Sequence, residues 1–169
     1  MNRSVVGYIF SFIVLVLLQV LVFNRIALFG YATPFLFLYF ILKLPTSLSA
    51  NWVMTLSFIM GLIIDVFSNT PGMYALSAVS VAFVRRSFIA LVLQRGNEEA
   101  SLVPSFRSFG SEYFSVYAFC IILLFCILVF VIEAFSFFSP LILILRILSS
   151  TLLTFVLVLA LESLNLKRK

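Results

Sequence analysis

From Tyr113 to Ile132 the chain carries no charged side chain, only Tyr, Phe, Ser, Val, Ala, Cys, Ile and Leu. A helix that crosses the hydrocarbon layer of a bilayer needs ~20 predominantly apolar residues, and this stretch supplies them. The rest of the sequence has the same character. Of 169 residues, 64% are hydrophobic and 10% charged, with 21 Phe, whereas a soluble domain carries about 25% charged residues. Too little polar surface exists to cover a water-soluble globule. The expected fold class is all-α: one integral membrane domain over 1–169, a polytopic helical bundle of about six transmembrane helices, with no room for a separate soluble domain.

Charges and turn residues mark the spans at about 5–23, 32–44, 48–67, 73–93, 113–132 and 141–161. The first is bulky up to its polar break at Asn24 and Arg25 and reads as an uncleaved span, since a signal peptide has a shorter apolar segment of ~7–15 residues. The second is bracketed by Pro34 and Pro45 and is short for a straight crossing, which leaves a tilted, partly buried or re-entrant helix open. Trp52 near the start of the third suits an interfacial anchor. Ser68-Asn69-Thr70-Pro71-Gly72 is a tight turn by composition. Gln94 to Glu112 is the main polar loop, and Ser136 to Pro140 turns the chain between the last two spans. With both termini in the cytoplasm, Arg3, Lys43, Arg95, Arg107, Lys167, Arg168 and Lys169 lie inside and only Arg25 outside, as the positive-inside rule requires.

Composition also excludes chemistry. His is absent, and Cys120 and Cys126 point to different faces of one helix, where free Cys packs as a small apolar side chain. Metal sites built on His or paired Cys have no ligands. No Gly-rich phosphate loop and no Ser-His-Asp or Cys-His arrangement can be assembled, so the chain reads as a non-enzyme without cofactor or metal. The net charge of +5 is the basic excess of cytoplasmic loops facing membrane lipids, not a nucleic-acid footprint.

The informative residues are therefore the polar ones inside apolar runs. A charge at the centre of a bilayer costs ~2.5 kcal/mol or more, so it faces a partner or an interface. Asp65 has three readings: a cap on the Pro71-Gly72 turn, a partner for an arginine, or a ligand, ion or proton group. Arg85 and Arg86, toward the cytoplasmic end of the fourth span, either snorkel to headgroups or form part of a docking surface. Being adjacent on a helix they point about 100° apart, so at most one faces the bundle centre. Glu133 and Arg146 flank the turn between the last two spans at comparable depth and are expected to pair, with Asp65–Arg146 as the competing arrangement. Gln19 suits an interhelical hydrogen bond.

The sequence resembles the bacterial rod shape-determining MreD family. The resemblance is carried by Leu18-Gln19 ending the first span, Leu28-Phe29-Gly30 and Pro34 opening the second, and Gly61-Leu62-Ile63-Ile64-Asp65 followed by Pro71-Gly72-Met73-Tyr74-Ala75-Leu76. It covers about residues 18–86 and is hydropathy alone beyond. The chain departs from the family pattern at Phe35, where an acidic residue is often found, and at Asn51, Trp52 and Met54, where small residues are common.

Membership would imply a scaffold subunit of the machinery that builds lateral peptidoglycan in the bacterial inner membrane. Its partners would be the single-span protein MreC and, indirectly, MreB filaments and the RodA–transpeptidase synthase. The family's fold is similar to the membrane substrate-binding subunits of energy-coupling-factor transporters, which supplies a second reading: a small-molecule-binding subunit of a vitamin-type transporter. Gly61, Asp65 and Gly72 are expected to shape a partner-binding face, Gly61 by admitting a neighbouring helix. Arg85, Arg86, Glu133 and Arg146 complete the partner-binding or structural candidates.

Overall fold

A computed structural model describes residues 2–23, 32–93, 103–134 and 140–167, and among them the chain is all-helical. In order the helices are α1 (Asn2–Leu21), α2 (Leu38–Lys43), α3 (Ala50–Ser68), α4 (Met73–Leu93), α5 (Phe106–Phe109), α6 (Ser111–Glu133) and α7 (Pro140–Lys167). Four of them, α3, α4, α6 and α7, are long and apolar enough to cross a membrane, and α1 adds a shorter apolar stretch, Val6–Leu21. This is a membrane protein in its helical make-up. Residues 1, 24–31, 94–102, 135–139, 168 and 169 lie outside the described residues, and with them Arg25, Leu28-Phe29-Gly30, Arg95, most of the turn after Glu133, and the end of the basic tail.

The second apolar run is not a helix over 32–44. Only Leu38–Lys43 is helical, and the preceding residues are extended or turning. Pro34 is the physical reason: it has no N–H to give a helix ladder, and its ring pushes the residue before it toward extended geometry. The run is nevertheless deeply buried, with Phe35, Leu36, Phe37, Leu38, Phe40, Ile41 and Leu42 in the core. Phe35 and Phe37 both meet Phe125 of α6 edge to face, at ring separations of 5.2 and 5.3 Å. Around them α4, α6 and α7 close the core, which includes Ala78, Val81, Tyr117, Ile121, Cys126 and Val158. Cys120 is half-buried and Cys126 buried, both as free thiols.

The α3–α4 hairpin is the tightest joint. Asn69 ends α3 in the left-handed region at φ 55°, with its N–H on the Asp65 carbonyl, a conformation Asn tolerates better than most residues. Gly72 adopts φ 76°, where any side chain would be strained. Two turns before Asn69, Gly61 lies so close to α4 that an added Cβ would stand 2.6 Å from Ala75 Cα and 2.8 Å from the Tyr74 carbonyl oxygen. The neighbour that Gly61 admits is thus the chain's own fourth helix.

Because those atoms are backbone and cannot swing aside, Gly61→Ala is expected to wedge α3 from α4. Overpacking of this kind costs about 1–3 kcal/mol, and a lowered melting temperature in detergent, with insertion intact, is the outcome to measure.

Candidate functional site

The polar side chains inside the bundle gather at two ends. At the first, the Asp65 carboxylate sits at the end of α3 and receives three donors: Thr70 Oγ1–H at 2.6 Å, Tyr74 N–H at 3.0 Å and Ala75 N–H at 2.8 Å. The last two are unpaired amides of the first turn of α4, and a carboxylate there also meets the positive end of the helix dipole. The capping reading of Asp65 is the one observed. At the same end, where α6 stops and α7 starts, Arg146 Nη1 donates to Glu133 Oε1 at 3.1 Å. The Glu133–Arg146 pairing is therefore present and the competing Asp65–Arg146 pair is not. Both side chains of the pair stay about a third exposed, at 36% and 31%.

At the opposite end, Glu162 of α7 is 2% exposed. Its carboxylate takes Lys43 Nζ at 3.0 Å, the Tyr39 hydroxyl at 2.9 Å and the Phe106 N–H at 3.2 Å. Three elements, α2, α5 and α7, are pinned by that one acid. Arg85 turns inward and is 4% exposed. Its Nε donates to the Tyr117 hydroxyl at 3.0 Å, and its Nη2 reaches the carbonyls of Leu42, at 3.5 Å, and Leu44. A cation beside the unpaired carbonyls of a helix end is favourable by dipole and hydrogen bond alike. Arg85 therefore does not snorkel: it caps α2. Arg86, one residue on, is exposed, as the 100° step demands.

Between the two ends, the non-helical run 33–37 has each of its backbone donors satisfied by a side chain. Thr33 N–H donates to Ser150 Oγ and Phe35 N–H to Thr154 Oγ1, each at 3.0 Å. Leu36 and Phe37 N–H donate to Gln19 Oε1 at 2.8 and 3.4 Å, while Gln19 Nε2 donates to the Pro34 carbonyl at 3.0 Å. Pro34 has no donor to satisfy. A carboxamide both accepts and donates, which is why one Gln serves both sides of this kink.

Sequence reasoning singled out Gln19 as an interhelical hydrogen-bonding residue, but it did not reach Ser150, Thr154 or Glu162 as sites. Signals were there. Ser150 and Thr154 are spaced i, i+4 and share a helix face, as do Tyr39 and Lys43, which meet Glu162. What was missing was the knowledge that 33–37 leaves the helix and needs outside partners.

Among the described residues no group of three or more His, Cys, Asp or Glu side chains comes together to hold a metal. One cavity of about 370 Å³ lies between α1, the 36–43 segment and α7, bounded at one end by Tyr8, Lys43 and Asn165. No protein-family model matches the chain, and comparisons with curated proteins and with solved structures give no significant match.

Two outcomes follow from this geometry. Gln19→Leu removes the partners of two buried N–H groups and a carbonyl, and since each orphaned group costs about 1–3 kcal/mol, the detergent melting temperature is expected to fall sharply. Across the bundle, neutralising Glu133 or Arg146 singly is expected to destabilise more than neutralising both together. A double-mutant cycle on melting should show coupling of about 0.5–3 kcal/mol, and additive losses would mean that the pair carries no energy.

Proposed function

We propose that this chain is a non-enzymatic scaffold subunit of the bacterial cell-elongation machinery, of the MreD kind. On this reading it sits in the inner membrane and binds a single-span MreC-type protein that connects it to MreB filaments and the RodA–transpeptidase synthase. The observation that carries the reading is the α3–α4 hairpin. The residues that bear the resemblance, Gly61, Asp65, Gly72 and Ala75, are parts of one joint, in which Gly61 admits Ala75 at close range and Asp65 caps the helix that Gly72 opens. A motif whose members depend on one another physically is a stronger signal than the same letters scattered over a fold.

In this proposal the chain crosses the membrane six times, with both termini cytoplasmic. The contacts agree with that direction of travel. Thr33 meets Ser150, Phe35 meets Thr154 and Lys43 meets Glu162, so the 33–43 run keeps pace with α7 over about 18 Å at the helical rise. On this reading the second crossing is made partly of extended chain and partly of helix. Tyr39, Lys43, Arg85 and Glu162 then lie toward the basic cytoplasmic side, and Asp65, Glu133 and Arg146 toward the outer side.

The likeness to energy-coupling-factor subunits belongs to the same proposal, and it keeps the transporter reading as the rival. A vitamin pocket needs several convergent polar groups in an apolar cleft. Asp65 already receives three donors and Glu133 receives Arg146, so that end of the bundle offers few free groups for one. Affinity purification of the tagged chain in mild detergent separates the two readings. Recovery of a single-span coiled-coil protein is expected, whereas recovery of an ATPase module or a bound vitamin would overturn the scaffold assignment.

A further inference from the structure

The cavity between α1, the 36–43 segment and α7 borders the Glu162 joint, sharing Tyr39 and Lys43 with it. Its walls are apolar over most of their length, with Val14, Leu15 and Leu18 on one side and Leu36, Phe40 and Leu161 on the other. From Tyr8 to Leu18 it follows α1 for about 15 Å at the helical rise. Its polar lining residues are Tyr8, Ser11, Tyr39, Lys43 and Asn165, none of them on the stretch of α1 from Val14 to Leu18.

We propose that this groove seats one acyl chain of an anionic phospholipid from the leaflet on the Lys43 side, with the lipid phosphate received by Lys43 and Tyr8. An apolar channel that ends at an ammonium and a phenol hydroxyl matches that chemistry. The Lys43 ammonium has three donors, and its hydrogen-bond and ion-pair contacts among the described residues are to the two oxygens of Glu162. The Tyr8 hydroxyl has no hydrogen-bond partner among the described residues. Glu162 does not repel the phosphate strongly, because it is 2% exposed and its oxygens already receive Lys43, Tyr39 and the Phe106 amide. Beyond Asn165 the sequence carries three more basic residues, Lys167, Arg168 and Lys169, and basic residues attract anionic lipids. A partner's transmembrane helix, at ~10 Å across, is too wide to enter a space of about 370 Å³ and could only lay side chains over its opening.

Native mass spectrometry of the full chain, released from micelles containing equal amounts of phosphatidylglycerol and phosphatidylcholine, tests the proposal. One phosphatidylglycerol is expected to stay bound per chain, roughly fivefold or more in excess of phosphatidylcholine, on the charge selectivity argued above. Ser11 lines the groove from an exposed position, so Ser11→Trp should block it and remove the retained lipid without lowering the melting temperature. Leu76→Trp, on the exposed face of α4, should keep the lipid. Tyr8→Phe should lower the retention of phosphatidylglycerol severalfold, because the hydroxyl is one of the two groups that receive the phosphate, and it decides the matter if Ser11→Trp does not fold. Equal retention of both lipids, retention that survives Ser11→Trp, or loss of a co-purifying protein in place of the lipid would each overturn the proposal.

Discussion

Buried backbone amides cannot be left bare, and the run 33–37 is where this chain meets that constraint. Non-helical backbone is tolerated in the hydrocarbon region only where protein surrounds it and supplies partners. Here Gln19, Ser150 and Thr154 supply them from α1 and α7, and Arg85 closes the far end at Leu42 and Leu44. Three helices distant in sequence are tied to one strip of chain. The aromatic packing of Phe35 and Phe37 on Phe125 then seals the strip from lipid, which raises the worth of each of those hydrogen bonds.

The buried charges obey the same logic by different routes. Glu162 meets a cation and two neutral donors, Asp65 meets neutral donors at a helix start, and Arg85 meets neutral acceptors at a helix end. Neither Asp65 nor Arg85 has an oppositely charged partner among the described residues. Helix ends do the work of counter-ions, because their unpaired amides and carbonyls carry partial charge. The candidate residues are thus mostly absorbed by the fold, and what remains outward is Arg86, the half-exposed Glu133–Arg146 pair and the apolar helix faces.

Much of the fold was legible from the residues. Runs of apolar side chains broken by charges located α1, α3, α4, α6 and α7, because a helix is the only open-chain way to satisfy backbone groups in lipid. The turn at Pro71-Gly72, the pairing of Glu133 with Arg146 and the divergence of Arg85 from Arg86 were also readable, since each depends on local spacing or on two ends facing across a short link. The state of the 32–44 run was legible only as an ambiguity between its two prolines. The destination of Gly61 was not legible, because a small residue invites close approach without saying whether the neighbour comes from the same chain.

The sequence by itself determined that this is a helical membrane protein without a His-based metal site, and it located α1, α3, α4 and α6 to within a few residues. Those properties follow from solvent: lipid sorts apolar from polar side chains one by one, and hydropathy is additive along the chain. Only the tertiary structure decided that Gln19, Ser150, Thr154, Arg85 and Glu162 converge on the segment between Thr33 and Leu44. A hydrogen bond needs its partner within about 3 Å and correctly aimed, and pairs separated by more than a hundred residues, such as Thr33 with Ser150, acquire that geometry only when the whole bundle has closed.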